Sequence, residues 1–167
     1  MASDQTRKSG ILIIDPQTNM AALVADMLRG LGRRDIREAH DASHAQFELR
    51  RHPFDIVIID DLIAGPDAVE LVRRLRLDAH SPNRLTPIIM MAAAPDAARI
   101  AAARDAGVTE FLRKPFAVTH LRSRLESIAA HPRPFIEAGD FAGPDRRRRD
   151  QPVGASDRRS DPNSVPG

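Results

Sequence analysis

The chain has no cysteine, no tryptophan and no tyrosine, and of its 25 basic side chains only Lys8 and Lys114 are lysine. Without cysteine there is no disulfide, no thiolate nucleophile and no thiolate-held metal, which suits a reducing compartment. Long apolar runs are missing as well. Nothing approaches the roughly 18 to 20 residues of a membrane span, and Met1 to Ser9 lacks the apolar centre of a signal peptide. The expectation is a soluble, cytoplasmic protein that makes no membrane contact. The absence of tyrosine and cysteine also accounts for a pI near 9.9 at a formal net charge of only +2. Little besides the lysines and the terminal amine titrates just above neutrality, so the pI is not evidence of a basic surface. The six histidines show no paired ligand spacing on one face, so no histidine metal centre is expected.

What the chain does have is a series of short apolar runs that end in chemistry. Phe54 to Ile59 stops at Asp60 and Asp61, and Gly10 to Ile14 stops at Asp15. Thr86 to Met91 stops at Ala92, and Val108 to Arg113 delivers Lys114 and then Pro115. Such β-branched runs read as strands covered on both faces. Asp35 to Ala39 is a shorter, weaker strand.

Helical spacing fills the gaps. Thr18 is predicted to cap a helix that buries Leu23, Val24, Leu28 and Leu31, and Ser43 one that finishes before Pro53. Pro66 is predicted to open a helix carrying Val69, Leu71, Val72 and Leu75. Pro95 and Asp96 open an alanine-rich helix over 97–106 closed by Gly107, and the last helix runs from Val118 to Ala130. Strand and helix alternate five times, which predicts an α/β fold with a doubly wound, five-stranded parallel sheet. Right-handed crossovers then gather the strand ends at one rim.

The domain is expected over 9–130. From His131 the composition turns to Pro, Gly, Arg, Asp and Ser, which predicts a disordered tail over 131–167 with no core of its own. Phe135, Ile136 and Phe141 are the residues able to dock it. Arg146 to Arg149 offer phosphate contacts, but interleaved aspartates dilute their charge and favour a solvated extension, so nucleic-acid binding is not expected.

Ile11-Leu12-Ile13-Ile14-Asp15, Asp55-Ile56-Val57-Ile58-Ile59-Asp60 with Gly65 and Asp67 beyond it, Ala106-Gly107, and Phe111-Leu112-Arg113-Lys114-Pro115-Phe116 occur in order along the five-stranded pattern. Together they resemble the receiver domain of bacterial two-component response regulators, over roughly residues 9 to 130. The resemblance implies a flavodoxin-like fold and makes Asp60 the phosphoacceptor, phosphorylated by a sensor histidine kinase or histidine phosphotransfer protein. It implies magnesium held by Asp15, Asp60 and the Leu62 backbone carbonyl. It puts Lys114 on the phosphoryl oxygens, a cis bond before Pro115, and the switch positions at Ala92 and Phe111. The downstream protein is unknown.

Two departures carry weight. The family usually has two consecutive acids after the first strand, whereas this chain has Asp15-Pro16, so magnesium is expected to bind more weakly. The family has Ser or Thr where this chain has Ala92. A hydrogen bond to a charged group contributes about 1.5–3 kcal/mol, against about 5.5 kcal/mol for a complete two-state switch, so a large part of the switching energy is missing. Ala64 and Ala68 are milder changes beside Asp60.

The expected function is that of a stand-alone receiver, not an enzyme, which accepts a phosphoryl group on Asp60 and signals by protein–protein interaction. Pro16 and Ala92 motivate an alternative, a degenerate receiver that docks partners whatever its phosphorylation state. Nucleic-acid binding through the arginine-rich tail is a third reading. A phosphohydrolase with a strand-end nucleophile is set aside, because Leu62 leaves no second acid two residues beyond Asp60 to protonate a leaving group.

Overall fold

The computed structural model describes residues 10–132, 135–138 and 141–145. Five strands and five helices alternate: β1 (Gly10–Ile14), α1 (Thr18–Gly30), β2 (Ile36–Ala39), α2 (Ala42–Arg51), β3 (Phe54–Asp60), α3 (Ala68–Leu77), β4 (Ile88–Ala92), α4 (Ala97–Ala106), β5 (Glu110–Arg113) and α5 (Val118–Ala130). All five strands pair in parallel, in the order β2-β1-β3-β4-β5. The chain winds outward from β1 to β2, then returns to the other side of β1. That reversal opens a crevice at the carboxyl ends of β1 and β3.

Alternate side chains of the strands build two cores, as a pleat with helices on both faces requires. Leu12, Ile14, Val57, Ile59, Ile88 and Met90 face α2, α3 and α4. Ile11, Ile13, Ile56, Ile58, Ile89 and Met91 face α1 and α5. The edge strand β5 has its Phe111 carbonyl covered by Arg124 Nε of α5 at 2.8 Å.

Three helix starts differ from the sequence expectation. The residue before α1 is Gln17, whose N–H is bound by the Asp15 carboxylate at 2.8 Å, so Thr18 is already helical and caps nothing. Asp41, not Ser43, caps α2, its carboxylate accepting from the His44 N–H at 2.7 Å. Pro66 lies before the helix in a cis bond to Gly65, and Asp67 caps α3 by accepting from the Glu70 N–H. At α2 and α3 a cap carboxylate satisfies one of the orphan N–H groups, whereas α1 has no side-chain cap.

Beyond Ala130 the chain returns to the domain through Phe135, one of the residues the sequence offers for docking. Residues 135–138 (β6) and 141–144 (β7) pair antiparallel, and β7 packs on α3 and α4. The hairpin brings little apolar mass and, as the composition implies, builds no core of its own. It leans on the domain instead, burying Ala142 and placing the Phe135 ring 5.0 Å from the Arg84 guanidinium, a cation–π contact. Arg146 to Arg149 lie outside the described residues.

Candidate functional site

Asp60 is the last residue of β3 and is 1% exposed. The Leu62 N–H donates to its Oδ1 at 2.8 Å, closing a tight turn, while its Oδ2 meets the Lys114 ammonium as an ion pair. Lys114 is carried there by the sheet: its N–H donates to the Ala92 carbonyl at 2.9 Å, extending the pairing of β4 and β5 by one residue. The next peptide bond, Lys114–Pro115, is cis.

Asp15 follows β1 across the crevice and is fully buried. Its Oδ1 accepts the Gln17 N–H, but its Oδ2 has no hydrogen-bond partner. Burial pushes its carboxyl above the usual value, and the charge of Asp60 adds to the rise. The Gln17 N–H, Lys114 and His40 pull the other way without cancelling it.

The strand ends therefore bring together Asp15, Asp60 and Lys114. They also bring Ala92, a buried methyl with no hydroxyl to offer. Phe111 is partly buried and packs against the core on the α2, α3 and α4 side of the sheet. The Leu62 side chain is 63% exposed, and this residue takes part through its backbone.

A hard divalent cation needs oxygen ligands and negative charge. The orphaned Asp15 Oδ2, beside a second carboxylate, fits that need. Among the described residues no group of three or more acidic or histidine side chains is placed to hold a metal, and Pro16, the residue after Asp15, offers no side-chain ligand. Such a site would rely on two carboxylates, backbone and water.

Three further side chains lie at this rim. His40, just past β2, places Nδ1 3.0 Å from the Asp15 carbonyl oxygen. The topology sets β2 beside β1, so this contact could have been anticipated. Asp61 is tied to Arg99 of α4, whose Nε donates to its Oδ1 at 2.6 Å. Arg99 Nη1 also donates to Asp67 Oδ2 at 3.1 Å. No spacing rule joins residues 38 apart, and nothing in the sequence singles out Arg99.

The response regulator receiver domain family matches residues 11–126. The chain belongs to this family. Chemotaxis protein CheY-3 of Vibrio cholerae is 31% identical over 118 residues, which cover 71% of this chain and 89% of that protein. Chemotaxis protein CheY of Pseudomonas aeruginosa is 30% identical, over 71% of this chain and 94% of its own. A putative response regulator from Chloroflexus aurantiacus superposes with a TM-score of 0.67 at 29% identity, covering 75% of this chain and all of that one. The fold is thus the flavodoxin-like receiver fold of two-component signalling. Receiver domains take phosphate from histidine kinases, act on downstream targets, and generally bind magnesium in an acidic pocket. Among the described residues no helix is long and apolar enough to cross a membrane.

Proposed function

We propose that Asp60 of this receiver accepts a phosphoryl group from a phosphohistidine, and that the phosphorylated chain signals through a protein partner in the cytoplasm. One observation supports this above the others: a buried strand-end carboxylate is held between a backbone N–H and an ammonium, beside a second carboxylate with an unpartnered oxygen. In the transfer an Asp60 oxygen attacks phosphorus, the P–N bond breaks, and the imidazole nitrogen keeps the electron pair. The product is an acyl phosphate, and this chain is the acceptor rather than a turnover catalyst.

The Leu62 N–H fixes one carboxylate oxygen, so the other meets the phosphorus in a set direction. Lys114 sits on that second oxygen, where charge on the equatorial phosphoryl oxygens develops, and leaving Asp60 for the phosphoryl group requires no new charge in the site. Magnesium would be held by Asp15, Asp60 and the Leu62 carbonyl, and when bound it neutralises the charge of carboxylates and phosphoryl oxygens. With Pro16 in place of an acid, its affinity is lower than for a site with three carboxylates.

Incubation with magnesium and acetyl phosphate, read by intact mass, tests the reading. Wild type should gain one phosphoryl group and Asp60→Asn none. No gain by wild type, or a gain that survives Asp60→Asn, overturns it. Pro16 and Ala92 support a second reading, docking that ignores phosphorylation, which equal partner affinity for wild type and Asp60→Asn would favour. Nucleic-acid binding through Arg146 to Arg149 has no support from the described residues. It would require affinity that falls steeply with salt and vanishes on truncation after His131.

A further inference from the structure

Among the helices of the domain, α4 is the one with least apolar attachment. Its only buried side chains are Ala103 and Ala106, each offering a single methyl. Polar bonds hold its two ends instead. At the C-terminal end, Arg76 of α3 donates from Nε and Nη2 to the Gly107 carbonyl at 3.1 and 3.0 Å. A Cβ on Gly107 would lie 2.7 Å from the Arg76 side chain, and the residue is at φ +115°, so this joint is built closely around glycine.

At the N-terminal end stands Arg99. Its guanidinium bridges Asp61, the residue after Asp60, and Asp67, the cap of α3. Nη2 also lies 3.5 Å from the Asp61 main-chain oxygen, one peptide unit from Asp60. The two partners are unequal: the Asp61 side chain is 21% exposed and that of Asp67 is 51%. Solvent weakens the Asp67 arm.

We propose that Arg99 is the positioning residue that carries the state of Asp60 to α4. A phosphoryl group on Asp60 adds negative charge beside Asp61, on the inner side of the clasp, and phosphoryl oxygens suit a guanidinium fork. The guanidinium shifts inward, the exposed Asp67 arm breaks, and α4 turns about its Arg76–Gly107 joint. Ala92 offers no hydroxyl for this task. The inference rests on phosphorylation of Asp60.

Hydrogen exchange read by mass spectrometry, on the phosphorylated and unphosphorylated full chain, tests it. Phosphorylated wild type should exchange about fivefold faster in the first turns of α3 and α4 than unphosphorylated wild type, the scale set by one partly exposed ion pair. In phosphorylated Arg99→Ala that phosphorylation-dependent change should be absent, with Arg99→Lys intermediate because it keeps the charge and loses the fork. Unphosphorylated Asp67→Asn should already show the faster exchange. The same phosphorylation-dependent change in Arg99→Ala, or no change in Asp67→Asn, overturns the role of Arg99 and leaves Asp60 as phosphoacceptor. If wild type takes up no phosphoryl group, both proposals fall.

Discussion

The two rims of the sheet treat buried polar groups in opposite ways. Where the strands begin, Asn83 is fully buried and fully used: its Oδ1 accepts the Phe54 N–H at 2.7 Å, and its Nδ2 donates to the Leu49 and His52 carbonyls, both at 2.7 Å. Thr86 adds its hydroxyl to the same Oδ1. Arg76, 1% exposed, spends its guanidinium on the Gly107 and Arg84 carbonyls. Burial lowers its pKa to about 10, still far above neutral, so the charge persists. Where the strands end, Asp15 Oδ2 has no partner and Asp60 Oδ2 has only Lys114. A buried group that is satisfied by backbone fixes structure. One left short by the fold is costly, and persists where a ligand completes it.

The contrast breaks most readily at Asn83. Asn83→Ala leaves the Phe54 N–H and the Leu49 and His52 carbonyls buried without partners. The cost should be about 3 kcal/mol or more in urea unfolding, with phosphoryl uptake per folded molecule unchanged. A loss below about 1 kcal/mol would mean that water replaces the amide, and that the beginning rim is no better satisfied than the other.

Truncation after Ala130 is a smaller perturbation of the same rim. It removes the Phe135 ring from Arg84 and uncovers the faces of α3 and α4 beneath Ala142. The expected loss is roughly 1–2 kcal/mol, the burial of about one apolar side chain, and is seen as a lower urea midpoint. An unchanged midpoint would return the domain boundary to residue 130. A loss of that size would support a folded unit that extends through the hairpin.

The fold was legible in the sequence because it is written in apolar mass. Runs such as Ile56-Val57-Ile58-Ile59 have one stable use, and their order leaves one winding. Asp15, Asp60 and Lys114 were legible for the same reason: each sits where a strand must end. Helix caps were less so, since Asp41 and Ser43 both suit the start of α2 and only the path of the chain chooses. The Arg99 clasp was not legible, and of the hairpin only its docking residue Phe135 was. Each depends on polar or cation–π contacts between distant residues, Arg84 with Phe135 and Arg99 with Asp61 and Asp67. Such pairings leave no periodicity, and an arginine-rich chain offers many equivalent candidates.

The smallest expected effect sharpens the comparison most, because it has the opposite sign. Burial holds the Asp15 carboxyl above the ordinary carboxylate value, with help from the Asp60 charge. An acid whose pKa is raised by folding stabilises the fold while protonated. Its contribution is complete below about pH 3.8 and is lost as pH rises through the raised folded value. Wherever Asp15 is ionised it therefore weakens the metal-free protein. Asp15→Asn keeps an oxygen for the Gln17 N–H and removes the charge, so it should raise the urea midpoint at pH 7 by an amount worth less than about 1 kcal/mol. At pH 3.5 the gain should shrink. Magnesium should raise the wild-type midpoint at pH 7 and leave that of Asp15→Asn nearly unmoved. Destabilisation by Asp15→Asn at pH 7 would place Asp15 with Asn83, as a buried group the fold already satisfies, and remove the physical ground for a cation at this rim.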